Sequence, residues 1–116
     1  MLTQLADLLV APAVRLLNAG DHVSPYDLAI TLWDCAVLGI HSSEVFVPIV
    51  ERAHRMAHLL LPADLAQIVW ACGKAMHVGS QERLAEMVEV HRHSVARIGA
   101  WELTMLLWGM GQARRP

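Results

Sequence analysis

Apolar positions recur along this chain at the three- to four-residue spacing of amphipathic helices, and the helices themselves recur. The segments 24–36, 61–73 and 99–111 align on one pattern, each setting an acid–Leu pair ahead of a Trp. Trp33 and Trp70 are 37 residues apart, and Trp70 and Trp108 are 38 apart. Leu28, Leu65 and Leu103 are identical, Cys35, Cys72 and Met110 are soft apolar groups, and Ala36, Gly73 and Gly111 are small. These slots share one broad helical face, the face expected to form the core. Trp33 and Trp70 are accordingly expected to lie buried between the two helices of each unit. Ser24 is placed to cap the first segment, Pro25 suits the first helical position, and the charge of Asp27 meets the free amide groups. Pro62, Asp64 and Glu102 repeat parts of that grammar.

Second helices are expected between these segments. Ser43 is read as the cap of one that runs through Phe46, Ile49, Val50 and Ala53 to about His58. Ser80 is read as the cap of another that runs through Leu84, Met87, Val88 and His91 to about Ile98. Glu44 and Glu82, Phe46 and Leu84, Val50 and Val88, and Glu51 and Glu89 correspond at a spacing of 38. Pro48 falls about one turn into the first and is expected to shift its start or kink it. Gly39 and Gly79 fall in turns. Leu2 to Ala19 reads as a helix of the second kind, interrupted at Pro12 and stopped by Asn18-Ala19-Gly20-Asp21.

The expected fold is therefore all-α, an α-solenoid of helix-turn-helix repeats with a 37–38-residue period. Residues 1–20 form the second helix of a preceding partial repeat, 24–60 the first full repeat, 61–98 the second, and 99–116 the first helix of a third. The outer helices offer Leu5, Leu8, Leu9, Val14, Leu16 and Leu17 at one end. Leu103, Leu106, Leu107, Trp108 and Met110 stand at the other. A repeat buries its apolar face only against neighbours, so the isolated monomer is expected to be unstable and the chain to sit against other molecules.

Composition narrows the function. Hydrophobic residues make up 55% and charged residues 17%, against the roughly 25% charged usual for soluble domains, so some apolar surface is expected to meet partners. The net charge of −2 argues against nucleic-acid binding by bulk electrostatics. The apolar run Leu8–Val14 is too short to span a bilayer and ends at Arg15. Met1 to Val14 contains Asp7 and no Arg, unlike an import signal. Cys35 and Cys72 make neither a disulfide framework nor a four-ligand zinc set, and they occupy equivalent slots as small core side chains. His54 and His58 lie one turn apart without the Glu a zinc protease needs, and two Arg flank them, so no metal is expected. No phosphate loop, nucleophile elbow or catalytic carboxylate pair is present, so no enzyme activity, cofactor or small-molecule substrate is expected.

Two groups of residues suit a nucleic acid. Basic side chains gather toward the ends of the second helices: Arg52, His54 and Arg55, then Arg92, His93 and Arg97, with Arg15 in the leading helix. They can compensate helix dipoles, or track phosphates once per repeat. A stripe on the first helices changes from copy to copy while the framework repeats. It reads Ile30, Asp34, Val37, then Gln67, Ala71, Lys74, then Met105, Gly109, Gln112. Asp34, Gln67, Lys74 and Gln112 are its candidate base-reading side chains. A solvent- or partner-facing stripe would vary in the same way.

The period and the acid-Leu-x4-Trp-x-Cys/Met-Ala/Gly pattern resemble octotricopeptide-type repeats, and equally the heptatricopeptide and FAST-kinase-associated helical repeats. The resemblance spans about Ser24 to Gly111. It implies an α-solenoid in organellar RNA metabolism: a non-catalytic RNA-binding or structural subunit of a mitochondrial ribosome or RNA-processing assembly. Its partners would be RNA, ribosomal RNA foremost, and neighbouring proteins, with no membrane. The rival expectation is a protein-interaction scaffold that makes no direct RNA contact.

Overall fold

The structure is a computed structural model, and it describes residues 2–19, 22–77 and 79–113. The side chains of Leu5 and Leu16, and residues Gly20, Asp21 and 114–116, lie outside what is described. Among the described residues the fold is all-helical. Seven α-helices run there as α1 (Leu2–Ala19), α2 (Pro25–Val37), α3 (Ser43–Arg55), α4 (Pro62–Lys74), α5 (Gln81–Val90), α6 (Arg92–Val95) and α7 (Ala100–Ala113). A 3-10 turn at Ala57–Leu59 follows α3.

Local chemistry explains most of the boundaries. The Ser24 hydroxyl accepts from the Asp27 amide at 3.2 Å, and the Asp27 carboxylate accepts from the Ser24 amide at 2.9 Å. This reciprocal cap starts α2 with Pro25 in its first turn. At α4 the Leu61 side chain has no acceptor to offer. Only the Asp64 half of the cap remains, its carboxylate accepting from the Leu61 amide at 3.1 Å. The C-termini of α2 and α4 close alike. The amide of Ile40 donates to the Cys35 carbonyl at 2.8 Å, and that of His77 to the Cys72 carbonyl at 2.9 Å. Gly39 (φ 85) and Met76 (φ 55) occupy the left-handed position between.

Other boundaries differ from the expectation. Ser42, not Ser43, caps α3, its hydroxyl accepting from the Glu44 amide at 3.1 Å. α3 stops at Arg55, and only the 3-10 turn reaches His58. The expected helix from Ser80 to Ile98 breaks at His91 into α5 and the short α6. Ser80 caps nothing with its side chain, because its hydroxyl is bonded to His77. Pro12 sits inside a continuous helix rather than interrupting it, and Pro48 lies within α3.

The helices form two layers. In one, α4 lies between α2 and α7; in the other, α3 lies between α1 and α5. The core between them is Leu28, Leu32, Val45, Phe46, Ile49, Val50, Leu65, Ile68, Val69, Cys72 and Met87, all fully buried. Burying each large side chain contributes about 1.5–3 kcal/mol. α4 and α7 approach most closely. A methyl group added at Gly109 would fall 2.5 Å from the Val69 carbonyl oxygen, and one at Gly73 would fall 2.7 Å from the Gly109 Cα. Only hydrogen fits there, so glycine sets the separation of these two helices.

Candidate nucleic-acid interface

The Trp residues are not where their periodicity suggested. Trp33 and Trp70 are half-buried rather than enclosed between the layers. Each projects toward the next helix of its own layer. The Trp33 and Trp70 rings stack with centroids 4.3 Å apart, and Trp70 and Trp108 stack at 5.5 Å. Trp101 leans on Trp33 at 6.4 Å. Four indoles thus run across α2, α4 and α7. Trp101 is 51% exposed and Trp108 39%. Hydrophobicity marks an indole as apolar but does not say whether it faces the other layer or a helix beside it.

The variable stripe is not uniformly open. Asp34, Val37 and Lys74 are exposed, while Ile30, Gln67 and Gln112 are half-buried. Ala71, Met105 and Gly109 are buried, because α4 is flanked on both sides and α7 presses its glycine against α4. The Gln67 Oε1 is shut off from solvent and has no hydrogen-bond partner.

The basic residues divide into two sets. Arg52 donates to the Leu17 carbonyl at 3.4 Å, tying α3 to the end of α1. His54 donates through Nε2 to Glu86 at 2.7 Å, and Arg83 to Glu51 at 3.1 Å, so both pairs join α3 to α5. Arg92 pairs with Glu89 at 3.2 Å across the break between α5 and α6. Arg15, Arg55, His93 and Arg97 are exposed. His93 and Arg97 line a groove of about 500 Å³ with Leu61, Pro62 and Glu102, at the start of α7.

The remaining polar groups serve the fold. His91 is buried, not solvated, and donates through Nε2 to the Ala57 carbonyl at 2.7 Å. His77 is buried against Phe46, shares a 2.9 Å hydrogen bond with the Ser80 hydroxyl, and has its pKa lowered by burial. Burial pushes the Cys72 thiol up to about 12. Burial, with the Asp34 charge second, also raises the Cys35 thiol. Both thiols are thereby held toward the protonated form, the weaker nucleophile. Among the described residues no cluster of three or more His, Cys, Asp or Glu could hold a metal ion, and no helix is long and apolar enough to cross a membrane.

Sequence reasoning missed Trp101, which lies outside the aligned Trp slots, and the orphaned acceptor of Gln67, which nothing in the sequence signals. Comparison with family models, curated proteins and solved structures gives no match for this chain.

Proposed function

We propose that this chain is an α-solenoid array with a 37–38-residue period. In this reading it acts without catalysis as an RNA-binding or structural subunit of an organellar ribonucleoprotein, of the mitochondrial ribosome or RNA-processing kind. The observation that carries the reading is a geometry repeated at fixed spacing with unlike side chains on it. α2 and α4 end in the same bonding pattern, their Trp residues stack in register, and the exposed slot one turn after each Trp changes from Val37 to Lys74. A constant frame with variable exposed residues suits a reader of a linear polymer. Arg15, Arg55, His93 and Arg97 supply the phosphate contacts, since Arg52, His54 and Arg92 are engaged within the protein.

The test is RNA affinity as a function of salt. Changing Arg15, Arg55 and Arg97 together to Gln flattens the slope by about 0.7–0.9 log units per lost contact. A slope unchanged by all three substitutions rejects the phosphate assignment.

A second reading has its own support. Leu103, Leu107 and Met110 on α7 are exposed, and a groove of about 360 Å³ runs between α5 and α7, lined by Leu84, Ala85, Val88 and Met110. An apolar surface of this kind suits a protein neighbour. A scaffold without RNA contact would show no nucleic-acid affinity even at low salt.

A further inference from the structure

The four indoles are the feature that packing explains least. Leu, Ile and Val fill the core, and Phe46 is its one large ring. The Trp residues instead gather at the edge, each within 36° of parallel to a neighbour. Trp101 and Trp108 leave aromatic surface in water, 51% and 39% exposed. Indoles are costly to leave in contact with water unless something else covers them. Gln67 lies one turn before Trp70 on the same helix, and its Oε1 has no partner. Lys74 lies one turn after Trp70 and is exposed. Arg97 and His93 line the groove at the start of α7, the turn that carries Trp101.

We infer that this cluster, with Trp101 and Trp108 as its open members, is a stacking platform for the unpaired bases of single-stranded RNA. The inference rests on the RNA-binding reading above and names the form of RNA that is bound. A duplex keeps its bases stacked on one another and offers a protein mainly sugar and phosphate. Unpaired bases can splay onto aromatic rings. Stacking is tolerant of base identity, because every base presents a π-face. A base on Trp101 places its flanking phosphate toward Arg97 and His93. The acidic net charge fits this better than a bulk electrostatic mode does, since stacking energy does not depend on a basic surplus.

The experiment titrates the whole chain with three probes of equal length: oligouridine, an abasic ribose-phosphate strand and an RNA duplex. Intrinsic Trp emission and affinity are followed at one fixed salt concentration. Oligouridine is expected to quench the emission and to bind at least about fivefold more tightly than the abasic strand. Trp101→Ala and Trp108→Ala each reduce its affinity by about fivefold or more, while Trp101→Phe keeps a stacking face and most of the affinity. A thermal melt of each variant separates lost stacking from lost fold. Equal affinity for oligouridine and the abasic strand, or affinity unchanged in both Ala variants, overturns the platform and leaves the RNA reading standing. Failure of all three probes to bind at low salt overturns the RNA reading itself, and the platform with it.

Discussion

α3 and α5 correspond at a spacing of 38 residues and lie side by side in the same layer, yet they are held differently. α3 buries Val45, Phe46, Ile49, Val50 and Ala53, whereas α5 fully buries only Met87. α3 has a helix on each side, and α5 has α3 on one side and an open groove on the other. Their shared seam is partly ionic. Arg83 and Glu86 stand where the corresponding residues of α3 are Val45 and Pro48, and they pair with Glu51 and His54. The same slot can thus be filled with apolar contact or with charge. What decides the depth of burial is the number of neighbours, not the amphipathic pattern alone.

The comparison is broken most directly at matched positions. Phe46→Ala removes a fully buried ring and is expected to cost about 3–5 kcal/mol. Leu84→Ala, at the corresponding half-buried position, is expected to cost about 1–2 kcal/mol. Paired thermal or denaturant melts measure both, and equal losses would mean that α5 is as tightly covered as α3. Gly109→Ala acts on the other layer. Its methyl group has no room beside the Val69 carbonyl, so the variant is expected to lose about 1–3 kcal/mol and to shift the emission of the Trp70–Trp108 pair. Unchanged stability and emission would show that α7 is free to move away.

The joint between the two helices is sensitive to acid. Burial holds the pKa of His77 below its unfolded value of roughly 6.5, so as pH falls the unfolded chain takes up that proton first. This contribution to stability is complete above about pH 6.5 and is lost between there and the folded pKa. His77→Gln is expected to lessen the fall in Tm on acidification, and an unaltered slope would assign the acid sensitivity elsewhere. The turn before α5 offers a smaller effect of opposite sign. Met76 holds a left-handed backbone that Gly39 adopts without strain at the equivalent place, and its side chain is exposed. Met76→Gly should therefore stabilise by up to about 1 kcal/mol, whereas Gly39→Ala should cost about 1 kcal/mol. The smallest change is expected at the ionic seam. Arg83 and Glu51 are both well exposed, so Arg83→Gln should cost no more than about 0.2–1 kcal/mol, and less in high salt.

The helical class was readable because the strongest signals are local. Ser24, Pro25 and Asp27 start α2 by hydrogen bonds within one turn, and Leu28 and Leu65 recur on the inward face. What could not be read depends on neighbours. Two adjacent serines compete to cap α3, and Ser42 takes the role. Ser80 resembles a cap in sequence, but His77 claims its hydroxyl. His91 resembles a surface histidine in its basic run, although the repeat held a clue: it stands 38 residues after Ala53, which is fully buried. The basic side chains of α3 could not be sorted into free and engaged ones without knowing that Leu17 and Glu86 lie against them.

Gly109 bears on where the surface of these helices is free to change. It occupies the position that holds Asp34 in the first copy and Ala71 in the second. There the Val69 carbonyl leaves space for hydrogen alone. Mutation can vary residue 34 at the exposed surface, but it cannot install a larger side chain at 109 without driving α4 and α7 apart. Were these helices to read a polymer, as proposed above, the third copy would have a blank where the first has a letter, for as long as the two backbones touch.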